Sequence, residues 1–188
     1  KEKYFITVAG ESGAGKSEIA ASLAAELEKA GKPTYVFAQD DYFVYPPRTN
    51  ANKRQEDIGW VGMQEVKLSL LDTEIDALRR GESIIEKPLV IFNEDRITTE
   101  KVDLSDYTVF IAEGTYTTAL KNVDCRVFID RNLDDTRIDR KKRAREKQDD
   151  FLEKILSIEH RIISAQKNDA DIVISREYDA FRKEDYEK

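Results

Sequence analysis

The chain has 188 residues, 37% of them charged and 40% hydrophobic, with a net charge of -7. That length suffices to bury a sizeable core within one compact unit, and the acidic balance argues against a nucleic acid or an anionic membrane as partner. No apolar run approaches the ~20 residues of a bilayer span, and the single cysteine, Cys125, has no intrachain partner for a disulfide, which fits a reducing cytoplasm.

Residues 4–9, YFITVA, form a short apolar, β-branched and aromatic run ended by Gly10, the pattern of a buried central strand. Gly10-Glu11-Ser12-Gly13-Ala14-Gly15-Lys16-Ser17 follows and fits G-x-x-x-x-G-K-[ST]. In that pattern small residues let successive backbone N–H groups wrap a phosphate at a helix N-terminus. Glu11, Ser12, Gly13, Ala14 and Gly15 supply the cradle, Lys16 bridges the terminal phosphates, and the Ser17 hydroxyl ligates Mg²⁺. Such a match arises by chance in on the order of 1% of chains this size, and its place between a strand and a helix makes a ligand-free glycine turn the weaker reading. The helix is SEIAASLAAELEKAGK, with Ile19, Leu23 and Leu27 on one face and Gly31 as its stop.

TYVFA, 34–38, reads as a second buried strand. The stretch QDDYFVYPPRTNANKRQEDIGW after it is expected to be irregular, because Pro46 and Pro47 disfavour helix; loops this long are usually functional. Asp40 and Asp41 sit at the strand end, where an acid beside phosphates can accept the proton of an acceptor hydroxyl and help hold Mg²⁺. An Asp-Asp pair also opens turns and caps helices.

From Met63 to Arg80 the spacing of Val66, Leu70, Leu71, Ile75 and Leu78 predicts an amphipathic helix closed by Gly81. SIIEKPLVIF reads as short strands or a hairpin interrupted by Pro88. YTVFIAEG (107–114) is a strand, TYTTALK a short helix and DCRVFID (124–130) a strand. Glu113 ends its strand at the edge that, in a parallel sheet, opens on the same crevice as the glycine loop, and an acid there can hold Mg²⁺. A merely solvated strand-end acid is the plainer alternative.

Residues 134–147 and 149–167 read as two polar helices, ADIVIS (170–175) as a last strand, and the tail from Glu177 as a solvated helical or frayed end. On the first helix Arg137, Arg140 and Lys141 share a face and Arg145 lies two turns on from Arg137, so guanidinium groups can close over a transferring phosphate as a lid at about 134–150. A solvated, acid-flanked helix is the alternative. The one histidine, His160, falls on the second helix, where a surface or packing role is expected. Strands alternating with helices predict an α/β fold of the P-loop NTPase kind: three layers, α/β/α, around a mostly parallel five-stranded sheet with a helical lid, in a single domain over 1–188.

With these residues in place the chain resembles the uridine kinase family, of the phosphoribulokinase and uridine kinase class, over most of its length. GESGAGKS resembles the family's phosphate loop. FAQDDYF resembles its Q-D-S-F-Y segment, which implies the catalytic base for Asp40, and VFIAEG resembles the strand ending in Glu-Gly, which implies a magnesium role for Glu113. DDTRIDRKKRAR resembles the lid helix, implying phosphate contacts for Arg137, Arg140 and Arg145, and NDADIVIS resembles the strand that follows the lid.

The acceptor side departs from the family. Where uridine kinases carry Asp-His-Pro-Asp-Ala-Phe-Asp around the ribose, this chain reads RQEDIGWVGMQEV, leaving Asp57 as the candidate ribose carboxylate. KPLVIFNEDR keeps only Phe92 and Arg96 as counterparts of the run that contacts the base. Tyr42, Phe43, Tyr45 and Trp60 offer rings to stack a base or to pack the loop, and Arg48 and Arg54 offer charge to an anionic acceptor. The resemblance implies transfer of the γ-phosphoryl group of ATP, with Mg²⁺, to a hydroxyl of a small metabolite. The first candidate is the 5′-hydroxyl of a nucleoside; nicotinamide riboside, a sugar or a pantothenate-like alcohol are the alternatives. In that scheme Asp40, Lys16 and Arg137 are catalytic, Ser17, Glu113 and Asp40 hold the metal, and Tyr42, Asp57 and Arg96 bind substrate. A homo-oligomer is compatible with the resemblance. A GTPase switch would need Asn-Lys-x-Asp, and QKND at 166–169 has the wrong order; a regulator that has lost catalysis would keep the donor loop and turn over no acceptor.

Overall fold

The computed structural model describes residues 2–132, 134–137 and 149–186. In chain order the elements are β1 (Tyr4–Gly10), α1 (Lys16–Lys29), β2 (Thr34–Ala38), α2 (Pro47–Glu56), α3 (Leu68–Arg79), β3 (Ile84–Ile91), β4 (Arg96–Asp103), β5 (Val109–Gly114), β6 (Cys125–Ile129), α4 (Asp150–Gln166), β7 (Ile172–Ile174), β8 (Ala180–Arg182) and the one-turn α5 (Lys183–Tyr186), with short 3-10 turns between them. The main sheet has the order β2-β5-β1-β6-β7-β8. Its first five strands run parallel, and β8 pairs antiparallel with β7.

Parallel strands are covered on both faces, so they read as continuous apolar runs, and β1 is buried from Phe5 to Gly10. On one face α1 sets Ala20 and Ala24 against Ile6, Val8, Ile111 and Ile129. On the other, Leu71, Ile75 and Leu78 of α3 and Ile163 of α4 pack with Phe5, Phe37, Phe110 and Phe128. These two cores make the three layers that the alternation of elements predicts. The five expected strands are the five parallel ones. The sixth, β8, is three exposed residues with no apolar pattern, which is why that stretch reads as tail. Among the described residues no helix is long and apolar enough to cross a membrane.

Four expectations need correction. The stretch expected to be irregular contains α2: Pro46 is its N-cap and Pro47 its first residue, positions where a helix has no use for the missing N–H. Asp95, at the turn between β3 and β4, accepts from Arg48 N at 2.6 Å and Thr49 N at 3.2 Å, so the hairpin supplies the cap of α2. The helix expected from Met63 begins only at Leu68, because Met63–Glu65 is a 3-10 turn and Val66 bridges antiparallel to Phe43. Pro88 does not interrupt β3: the two eight-residue strands pair throughout, with Pro88 opposite Thr99, because a two-stranded ribbon leaves an outer edge that needs no donor. TYTTALK forms only the 3-10 turn Thr117–Ala119. The second polar helix is α4, capped by Asp149, which accepts from Leu152 N at 3.0 Å.

Glu74 of α3 is buried and accepts from the Tyr42 hydroxyl. Burial pushes its carboxyl up to about 7, against the opposing effects of that hydrogen bond and of Lys87. A carboxyl whose folded pKa is raised holds its proton in the native state when the unfolded chain has released it, so stability falls as pH rises from the unfolded value through about 7. The span corresponds to on the order of 3 kcal/mol. Glu74→Gln, which cannot ionise, is expected to gain thermal stability relative to wild type between pH 5 and pH 8 on the scale of ~1 pH unit steps; melting curves of the two proteins across that range should diverge, and parallel curves would refute it.

Candidate active site

The glycine loop lies between β1 and α1, as the sequence predicts. Gly13 (φ 82°) and Gly15 (φ 94°) occupy left-handed conformations that side chains strain to reach. Gly15 is the N-cap of α1 and provides no side-chain cap, so the amides of the first turn point outward as an anion-binding end. Ala14 N donates to Glu11 O at 3.1 Å and Lys16 Nζ donates to the same carbonyl at 3.0 Å. Ser12 lies in the same turn, half-buried.

Ser17 and Glu113 meet although they are far apart in sequence: Ser17 Oγ donates to Glu113 Oε1 at 3.3 Å. The register that pairs Ala9 with Gly114 brings the end of β5 level with the start of the loop. Burial pushes the Glu113 carboxyl above its usual range; Lys16 opposes the shift, Asp40 adds to it and the Ser17 hydrogen bond lowers it. Lys16 and Asp40 therefore both lie close enough to Glu113 to act on its charge.

The Asp-Asp pair divides its labour. Asp41 accepts from Lys87 Nζ at 3.0 Å and from Val90 N at 3.0 Å, which fastens the β3–β4 hairpin to the end of β2. Lys87, buried, is shared with Glu100 at 2.9 Å. Asp40 is exposed at the mouth of the crevice. The turn that carries it, Gln39–Tyr42, is anchored through buried Gln39, whose Nε2 donates to Thr115 Oγ1 at 3.1 Å and whose Oε1 accepts from Tyr116 N at 2.7 Å. A Cβ on Gly114 would stand 2.3 Å from Gln39 Cβ. Gly114→Ala is accordingly expected to destabilise by about 1–3 kcal/mol through overpacking, read as a lower denaturant midpoint at unchanged slope; an unshifted midpoint would show that Gln39 is free to move aside.

The acceptor side differs more from expectation. Tyr42 is 0% exposed and its hydroxyl is spent on Glu74, so it is a core residue with no ring face to offer a substrate. Asp57 is exposed and caps its own turn, accepting from Gly59 N at 2.8 Å. Arg96 pairs with Glu94 at 2.8 Å and lines a surface cavity of about 710 Å³ with Val44, Pro46, Pro88 and Thr99; no wall of that cavity comes from the glycine loop. Tyr45 and Trp60 lie together, ring centroids 5.5 Å apart. Arg54 is not a waiting cation: it donates to Glu65 from Nε at 2.6 Å and from Nη2 at 3.0 Å, and to Glu159 at 2.9 Å. Glu65, fully buried, also accepts from Asn50 at 2.6 Å and Gly62 N at 2.7 Å. These carboxylates hold the Arg54 guanidinium well above its ordinary range despite its burial.

At the entrance to the expected lid, Arg137 lies within 3.4 Å of Asp134 and 3.6 Å of Glu153; Arg140 and Arg145 fall outside the described residues. Two residues at the glycine loop escape the sequence reading. His160 Nδ1 lies 2.5 Å from Glu11 Oε1. Tyr178, in a left-handed conformation (φ 69°), donates to Ala14 O at 3.3 Å and carries the Arg131 guanidinium 4.9 Å above its ring. Both contacts join residues too distant in sequence for any local pattern to mark them.

A family model for the phosphoribulokinase / uridine kinase family matches residues 5–180. A bifunctional alpha-galactosidase/sucrose kinase of Mediterraneibacter gnavus is 24% identical over 191 residues, covering 94% of this chain and 20% of its own length, so the chain spans about a fifth of that relative. Among solved structures, a protein of Silicibacter sp. TM1040 provisionally assigned as a fructose transport system kinase superposes with a TM-score of 0.67 at 20% identity, over 87% of this chain and 85% of the other. A protein of Bacillus stearothermophilus provisionally assigned as a uridine kinase gives 0.61 at 21% identity, over 92% and 89%. At these identities the structural likenesses speak for the fold.

Proposed function

The chain belongs to the phosphoribulokinase/uridine kinase family of small-molecule kinases, and on that premise we propose that it transfers the γ-phosphoryl group of ATP to a hydroxyl of a neutral polyhydroxylated acceptor, in the first place a sugar. The observation that carries the neutral acceptor is the charge matching on that side of the crevice. Arg54 faces Glu65 and Glu159, Lys87 faces Asp41 and Glu100, and Arg96 faces Glu94. An anionic acceptor drawing on any of these three would have to take a cation from a carboxylate already bonded to it, at a cost of several kcal/mol where the pair is buried; the Arg48 guanidinium instead donates to Asn93 O at 2.8 Å. The sugars in the names of the Mediterraneibacter and Silicibacter proteins favour a sugar among neutral acceptors. A nucleoside 5′-hydroxyl is the second reading, favoured by the Tyr45–Trp60 pair as a stacking surface and by the Bacillus neighbour.

In this reading the amides of the Glu11–Ser17 turn and Lys16 hold the donor phosphates. Ser17 and Glu113 fit Mg²⁺: they are hard oxygen groups side by side, and this ion is usually held by one or two carboxylates and substrate phosphates rather than an all-protein cage. Among the described residues no group of three His, Cys, Asp or Glu forms such a cage. When bound, the ion neutralises charge developing on the phosphates. Asp40 receives the acceptor proton, and Arg137, with Arg140 and Arg145, supplies the charge that steadies the transferring group as water is excluded.

An ADP-release assay with Mg²⁺ and ATP against neutral mono- and disaccharides, nucleosides, glycerate and sugar phosphates tests the proposal. Turnover is expected with neutral acceptors and greatest with a sugar. Turnover confined to the anionic acceptors would overturn the neutral reading, and ATP binding without product from any of them would favour a regulator.

A further inference from the structure

The geometry points to His160 as a positioning residue for the phosphate loop, acting through Glu11; the inference rests on reading Gly10–Ser17 as the donor loop. A carboxylate only accepts hydrogen bonds, so in the contact with Glu11 Oε1 the Nδ1 of His160 carries the hydrogen and donates it. The Glu11 side chain is 9% exposed and that of His160 is 39% exposed, so the carboxylate is held inside the fold by a ring that comes to it from α4. The carbonyl of the same Glu11 receives both Ala14 N and Lys16 Nζ. Fixing the Glu11 side chain therefore fixes the peptide on which the Lys16 ammonium rests and the turn whose amides face the phosphates.

The helix makes a second attachment one residue away. Glu159 takes the Arg54 guanidinium at 2.9 Å, and Arg54 belongs to α2 on the acceptor side. Adjacent residues of α4 thus grip the donor loop and the acceptor-side helix. Both residues belong to the one continuous helix Asp150–Gln166, and displacement of reacting groups by about 1 Å can cost 10²-fold in rate. Holding both halves from one helix keeps donor and acceptor in register.

The test titrates the full chain with Mg²⁺ and a non-hydrolysable ATP analogue by calorimetry, beside steady-state kinetics. His160→Leu removes the donor, Glu11→Ala removes its acceptor, and His160→Asn returns an amide N–H near the position of Nδ1. His160→Leu is expected to weaken the analogue about 10-fold, in keeping with loss of a hydrogen bond to a charged group. Glu11→Ala should do the same, the double variant no more than either single one, and His160→Asn should recover to within about 3-fold of wild type. The KM for ATP should rise with these losses while the acceptor KM stays. Arg161→Leu, an exposed neighbour on α4, serves as the control for helix stability. Unchanged affinity in His160→Leu and Glu11→Ala, or additive losses in the double variant, would overturn the role. A His160→Asn protein as weak as His160→Leu would also overturn it. Should His160→Leu fail to fold, Glu11→Ala and His160→Asn carry the same comparison. A wild-type chain that binds no nucleotide would overturn the donor-loop reading itself, an outcome distinct from binding that is indifferent to His160.

Discussion

With Asp40 as the proposed base, Asp40→Asn is expected to lower kcat by about 10²- to 10⁴-fold, the range associated with loss of a general base, and to leave affinity for Mg²⁺ and ATP nearly as it was. The substitution keeps the shape of the side chain and removes its basicity. The turn that holds it is anchored by Gln39 through Thr115 and Tyr116, so the position of residue 40 survives the change. Asp41→Asn gives a different signature, because Asp41 is bonded to Lys87 and to Val90 N: it should lower stability by loosening the hairpin and affect turnover only secondarily. Steady-state kinetics with an independent nucleotide titration separates the two. If kcat survives Asp40→Asn, the base lies elsewhere.

Arg54→Met is expected to destabilise the fold by about 3–5 kcal/mol, the cost of stranding a buried charge. The Glu65 carboxylate would keep Asn50 and Gly62 N but lose two guanidinium bonds, and Glu159 would lose its hold on α2. Removing the matching charge should repair much of the loss: Arg54→Met with Glu65→Gln is expected to be more stable than Arg54→Met alone, because a neutral amide tolerates burial that a lone carboxylate does not. Urea midpoints of the three proteins decide it. Equal midpoints for the single and double variants would mean that packing by the arginine stem, and not charge, sets the cost.

The donor half was legible because its chemistry is written locally. Gly10 to Ser17 sit in one run after an apolar strand, and Glu113 ends another, so parallel-sheet geometry alone brings them together. The acceptor half is held by contacts between distant residues. Glu65 reads as an ordinary surface acid until Arg54, Asn50 and Gly62 are seen around it. Helix α2 buries only Asn50 and thus lacks the apolar stripe by which helices are found, while its prolines are harmless at the first turn. Tyr42 stood in an aromatic-rich loop, and nothing local distinguishes a ring bound for the core from one left for a ligand. His160 and Glu11 lie 149 positions apart, so the surface or packing role expected for the histidine could not name the loop it touches.

The antiparallel bridge between Phe43 and Val66 sets how freely the segment between them can change length. Val44 N donates to Glu65 O at 2.8 Å and Lys67 N to Tyr42 O at 2.8 Å, so the polypeptide that carries α2 departs from the fold and rejoins it at one stitched point. Lengthening such an excursion costs little, only about 0.6 kcal/mol in closure entropy for each doubling. A longer or shorter segment between residues 44 and 65 is therefore cheap in chain entropy, provided it keeps Arg54 on Glu159 and the Arg48 and Thr49 amides on Asp95, which tie the present one to α4 and the hairpin.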